Sequence, residues 1–274
     1  MSQVFKFRKS LVVTIAAAMM ALPLMVLAGG EDKDKDKDRG NSSSCAGLPS
    51  QGQLRTALIA ARKEANGGFN LDMWGTVVDR DGVVCAVAFT GAGRGDQWPG
   101  SRVISAQKAN TANAFSLPGL SLSTANLWAA VQPGGSLFGL QESNPVDTSA
   151  AYGGNSANLG QHNDPLVGEK IGGINVFGGG LALYDKDHKI VGGIGVSGDT
   201  SCADHNIAWR TRNNLSLDYV PGGVSGVPGR ADNINYQGQV AVPSLQNDFS
   251  HPICAIAGVD GVSAISAVLP TTKP

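Results

Sequence analysis

Charge, aromatic rings and histidine are all scarce in this chain, and each scarcity closes off a class of function. Charged residues make up 16 % of the 274 residues and aromatics 6 %, and there are four histidines. Lysine and arginine number 21 against 22 acidic residues, so there is no basic excess to neutralise a phosphate backbone, which argues against nucleic acid as a partner. No C-x-x-C or H-x-x-x-H spacing occurs, which argues against a zinc site. No G-x-S-x-G elbow occurs either. Ser197 sits in Val-Ser-Gly-Asp, so Ser197, Asp204 and His205 do not read as a hydrolase triad. The glycines of GGIGVSG follow a hairpin pattern rather than opening a βαβ unit, which argues against a dinucleotide site. Past Leu27 no stretch is long and apolar enough to span a membrane, and no unit repeats at a fixed length.

What is present begins with an export pattern. Lys6, Arg8 and Lys9 precede the uncharged apolar run Leu11–Leu27, and Val26 and Ala28 place small residues ahead of a cleavage point. This predicts a secretory signal peptide over 1–28, with an uncleaved membrane anchor as the alternative. Its removal takes three of the 21 basic residues and no acidic one, so 18 face 22 and the net charge becomes about −4. The segment Glu31–Arg39 alternates in sign and Gly40–Ser44 follows it, so neither can bury apolar surface. A solvated, disordered linker over 29–44 is expected, and its interleaved lysines oppose a metal-binding role. The rest predicts one domain over 45–260 and a C-terminal tail over 261–274. Four cysteines, Cys45, Cys85, Cys202 and Cys254, suit two disulfides in an exported protein. Three connectivities are open. Cys45–Cys85 with Cys202–Cys254 is favoured because it ties each end of the chain to a core element.

Gln53–Asn66 has apolar residues at helical spacing and stops at Gly67-Gly68. Leu71–Asp79 and Val83–Thr90 read as strands around the turn Arg80-Asp81-Gly82. The second of these is apolar on both faces and is expected to be central and covered by helices. Ser101 is the expected N-cap of a helix through Phe115, and a short helix is expected over Thr124–Val131. Gln141–Lys170 is a long loop rich in Asn, Gly and Pro. Ile174–Asp185 and Lys189–Ser197 form a second hairpin, and a helix follows over Ser201–Asn214. This order predicts an α+β domain, an antiparallel sheet with helices on its faces.

Several residues carry candidate chemistry. Lys108 shares a helix face with Ile104, Thr111, Ala112 and Phe115. It either snorkels at the edge or points into a site. His205 shares a face with Ala208, Trp209 and Arg212. It is either a hydrogen-bonded helix histidine or an iron ligand. His188 lies in a hairpin turn and should be solvated. The free N–H groups at the start of the Ser201 helix, with Ser197, Gly198 and Thr200 beside them, offer a place for a carboxylate or phosphate.

Taken together, LRTALIAARKEA, QKANTANAF and FGGGLALYDKDHKIVGGIGVSGDTSCADH resemble the GlcG/HbpS-type haem-binding family, also called the haem-degrading domain family. The K-A-x-T-A helix motif is matched by Lys108, Ala109, Thr111 and Ala112. The G-G-x-P-I hairpin is matched by Gly179–Leu183, with alanine in place of proline. Val191–Gly198 matches the G-x-x-G-x-I-G-V-S-G run in part, and Asp204 matches the acidic residue after it. The likeness runs from Leu54 to Arg212, with an insertion at about 120–172.

The resemblance implies a five-stranded antiparallel sheet in a profilin-like arrangement, homo-oligomers, and haem or a related tetrapyrrole as ligand. For exported members it also implies work beside a membrane sensor protein in haem, redox or iron sensing. The expected pocket lies between the Arg102–Phe115 helix and the second hairpin. Arg102, Lys108 and Arg212 would face the propionates, Thr111, Ser197 and Asp204 would line the pocket, and His205 would bind iron, with His162 and Met73 as rivals. A haem-degrading or peroxide-active enzyme is one alternative, although nothing in the sequence demands catalysis. A non-haem secreted binding or structural module is the other.

Overall fold

The computed structural model describes residues 45–238, 246–254 and 262–274. The expected signal peptide and linker lie outside these described residues. Helix α1 spans Gln51–Arg62, and Ser50 and Gln53 close its start with a reciprocal capping box. The hairpin of β1 (Trp74–Asp79) and β2 (Val84–Phe89) follows. It turns on Asp79, whose Oδ1 accepts from the N–H groups of Asp81 and Val83 at 2.9 Å each. Helix α2 spans Ser101–Phe115. Its N-cap is Gly100, so Ser101 is the first helical residue and not the cap expected. The stretch Thr124–Val131 forms two 3-10 turns, Thr124–Leu127 and Ala129–Val131, instead of one helix. Strands β3 (Gly180–Tyr184) and β4 (Ile190–Ser197) make the second hairpin, and α3 spans Ser201–Asn214.

The strands form one antiparallel sheet in the order β2-β1-β4-β3. The expected α+β class with helices flanking an antiparallel sheet is correct. The sheet has four strands among the described residues, not the five implied by the family resemblance. The central position expected for β2 is also corrected, because β2 is an edge strand. Its burial comes from the end of the long loop: Val84 N–H donates to Glu169 O at 2.9 Å and Gly168 N–H to Val84 O at 2.9 Å. The β3 edge is covered in the same way, with Tyr184 N–H donating to Leu217 O at 2.9 Å. Coil that pairs with an edge hides it as well as another strand would.

Alternation along the strands divides the core in two. Val77, Leu181, Leu183, Ile194 and Val196 face α1 and α3, where Leu54, Leu58, Ile207 and Trp209 meet them. Trp74, Val78, Val87 and Phe89 face α2 and the loop residues Leu166, Val167 and Ile171. On the α2 side β4 presents glycine. A Cβ on Gly195 would lie 1.9 Å from Ser105 O, and one on Gly193 2.4 Å from Ala109 O. The glycine run therefore exists so that α2 can lie directly against the sheet backbone. Thr76 Oγ1 and Ser105 Oγ hydrogen-bond across the same interface at 2.7 Å.

Disulfides join Cys45 to Cys85 and Cys202 to Cys254, the pairing favoured from the sequence. The last residues return to the core. Leu269 is fully buried against α3, and Trp209 Nε1–H donates to Pro270 O at 2.9 Å. No helix among the described residues is long and apolar enough to cross a membrane.

Candidate functional site

The K-A-x-T-A motif of α2 and the start of α3 meet beneath the glycine triplet. Lys108 reaches to the end of β4, where its Nζ donates to Asp204 Oδ2 at 2.8 Å and to Val196 O at 3.1 Å. Asp204 Oδ1 accepts from Gly198 N–H at 3.1 Å and Asp199 N–H at 2.8 Å. The protein's own carboxylate thus holds the turn that leads into α3. Thr200 caps the helix through Ala203 N–H at 3.3 Å. Burial pushes the Asp204 carboxyl up to about 6 even though Lys108 and the Asp199 N–H pull it down. Ser197 is buried at the end of β4, next to this turn.

The other members of the expected set also have internal partners. Thr111 Oγ1 donates to Gln107 O at 2.8 Å and accepts from Asn175 N–H at 3.0 Å, which pins the chain ahead of β3 to α2. Arg102 grips both oxygens of Asp164, with Nε to Oδ2 at 2.9 Å, and donates to Ala151 O at 3.1 Å. Asp164 belongs to the long loop, and it also accepts from Leu166 N–H at 2.8 Å. Arg212 makes the matching fork with Asp232, at 2.6 and 2.9 Å, and lies 4.7 Å over the Trp209 ring. Burial opposes the Asp232 charge, but Arg212 and the Ser121 hydroxyl outweigh it and hold the carboxyl below its usual range. His205 is fully buried. Its Nε2 lies 3.1 Å from Asn233 Oδ1 and 3.2 Å from Ile234 N, while Nδ1 has no hydrogen-bond partner among the described residues. Burial pulls its pKa down to about 4, so the ring is neutral at pH 7.

In this structure internal contacts fill the expected pocket. Lys108, Asp204 and Ser197 come together and His205 is the next residue after Asp204 on the helix, but they are packed against one another. A Cβ on Gly178 would meet Ser201 O at 2.3 Å and His205 Cβ at 3.1 Å. A Cβ on Gly179 would meet Val196 O at 2.3 Å and Lys108 Nζ at 3.1 Å. At these two glycines there is no room even for a methyl group. Arg102 and Arg212 sit in separate ion pairs, with the loop and with the C-terminal segment, so neither is available to a propionate. Met73, one rival ligand, is fully buried, whereas His162, the other, is exposed. His188 is exposed in its turn, as expected.

Sequence reasoning missed Asp164, Asp232 and Asn233. The only signal available was stoichiometric: a buried cation needs an anion, and Arg102 and Arg212 had none nearby in the chain.

The family model described as haem degrading protein HbpS-like matches residues 50–212. No curated protein matches. Among solved structures, the PduOC–haem complex is similar over 60 % of this chain and 89 % of that chain, with 24 % identity and a TM-score of 0.41. A Klebsiella pneumoniae protein, ORFY, is similar over 61 % and 90 %, with 24 % identity and a TM-score of 0.41. A double mutant of Streptomyces reticuli HbpS is similar over 72 % and 97 %, with 18 % identity and a TM-score of 0.39. With the model matching more than half of its residues, the chain belongs to the HbpS-like family of haem-degrading proteins.

Proposed function

We propose that this protein is an exported member of the family that binds haem or a related tetrapyrrole, outside its sealed interior. The observation that carries the reading is the family match over residues 50–212. Two disulfides and the N-terminal basic, apolar and small-residue pattern support export. A homo-oligomer and a membrane sensor as partner belong to the same reading.

On this reading the iron is held by an imidazole outside the packed interior. His162, on the long loop, is exposed in the segment that Asp164 anchors to Arg102, which makes it the ligand of choice. Titrating the purified protein with hemin should produce a Soret band. His162→Ala should abolish it, and His205→Ala should leave it in place. A bound spectrum that stays constant without added reductant or oxidant marks binding rather than degradation.

A second reading is favoured by one observation, the packed interior around Lys108, Asp204 and Gly179. On that reading the chain is a non-haem binding or structural module that keeps only the frame. A flat hemin titration would establish it over the first.

A further inference from the structure

We infer that Cys202, His251 and Cys254 form a latent divalent-metal site, suited to zinc, that becomes available when the Cys202–Cys254 disulfide is reduced. The two sulfurs and an imidazole nitrogen of His251 lie within 4.8 Å of one another. Two thiolates and one imidazole are the donors zinc prefers, and three protein ligands leave a fourth position open. Local spacing hides the site because its ligands come from two places, the first turn of α3 and the segment that crosses it.

The second shell is already in place. His251 Nδ1 lies 2.7 Å from Pro252 O, which fixes the proton on Nδ1 and leaves the Nε2 lone pair for a metal. Nε2 points at Ser201 Oγ, 3.3 Å away, and that hydroxyl is also 3.4 Å from Cys254 Sγ. Ser201 therefore sits where a fourth ligand, or the water it would hold, belongs. His251 is buried, with the Trp128 ring centroid 6.1 Å from its own, so the site has a dry wall. Cys202 opens α3, where the helix dipole favours a thiolate.

The chemistry balances with a trialkylphosphine as reductant. The phosphine gives two electrons to the disulfide and takes the oxygen of one water to become the oxide. The two protons of that water end on Cys202 and Cys254. A divalent cation then displaces both thiol protons, forms two metal–sulfur bonds and accepts the Nε2 lone pair. The metal replaces the covalent link between α3 and the segment that carries His251. This inference does not rest on the tetrapyrrole reading.

The test uses the full chain, reduced with the phosphine without air, and cobalt(II) as a spectroscopic stand-in for zinc. One equivalent should give sulfur-to-cobalt charge-transfer absorption and strong tetrahedral d–d bands, and zinc should bleach both. Oxidised protein should give neither. Cys202→Ser/Cys254→Ser should abolish the bands. His251→Ala and His251→Gln should each weaken binding by about 100-fold or more, beyond the 10–100-fold typical of an outer-shell partner. Circular dichroism before metal addition should show the reduced chain still folded. Bands that survive the double serine variant, bands unchanged in both His251 variants, bands in the oxidised chain, or loss of fold on reduction would each overturn the inference.

Discussion

Asp204→Asn isolates what burial does to a carboxylate held by a single lysine. The side chain is buried beneath Gly179, with Lys108 Nζ on one oxygen and the Gly198 and Asp199 N–H groups on the other. The charges facing it are Lys108 from α2, which favours its ionised form, and Asp199 from the preceding turn, which opposes it. Burial outweighs Lys108, so the folded carboxyl is pushed up to about 6 from the ordinary 3.8. Near pH 5 the folded chain keeps a proton that the unfolded chain has released. The stability contributed by Asp204 is therefore full below 3.8 and lost as pH rises through about 6. The gap is worth about 3 kcal/mol. An asparagine keeps the acceptor oxygen for both N–H groups and does not titrate. Urea unfolding of both proteins between pH 3 and pH 7 should show the stability difference moving toward the variant by about 3 kcal/mol as pH rises. A difference that stays constant across that range would mean that Lys108 fully offsets burial, and the argument would fail.

Asp232→Asn leaves Arg212 buried without its carboxylate and should cost about 3–5 kcal/mol, read from the urea midpoint at pH 7. Gly195→Ala places a Cβ 1.9 Å from Ser105 O, so α2 must lift from the sheet. Thermal unfolding should show a loss of about 3 kcal/mol or failure to fold. His205 has its pKa pulled down to about 4 from 6.5, so its contribution is full above 6.5 and lost as pH falls through 4. That is worth about 3 kcal/mol, and His205→Gln should flatten the acid limb of the stability profile by this amount.

The hairpins and the main helices were legible because their punctuation is local. Asp79 and Gly82 announce one turn, and Asp185 with His188 the other. The disulfide pairing was one of three the sequence left open, favoured only because it ties each end of the chain to a core element. The edge position of β2 was not legible, because a strand apolar on both faces reads the same whether a neighbouring strand or a loop covers it. The site was legible only as a set of residues. Lys108 reads as a cation near a pocket until its partner is known, and Asp204 is 96 residues away. Arg102 and Asp164 are 62 apart, and Arg212 and Asp232 are 20 apart. Nothing in local periodicity encodes such pairs.

The pair farthest along the chain decides how the C-terminal segment must be regarded. The family match ends at Arg212, and Asp232 lies beyond it. An arginine buried against the sheet without a counter-charge would destabilise the fold by several kcal/mol. Arg212 donates to Ala182 O of β3 as well as to Asp232, and Ser121 donates to the same carboxylate at 2.6 Å. Asn233 and Ile234 then cover His205, and Tyr236 packs beside Cys202. Helix α3, strand β3 and residues 232–236 therefore share one polar cluster that is satisfied only when all three are present. Removing the chain after 214 would strip that cluster of one of its three parts. It would leave a buried arginine and a buried imidazole without their partners, and the matched region alone should fold far less stably than the whole chain.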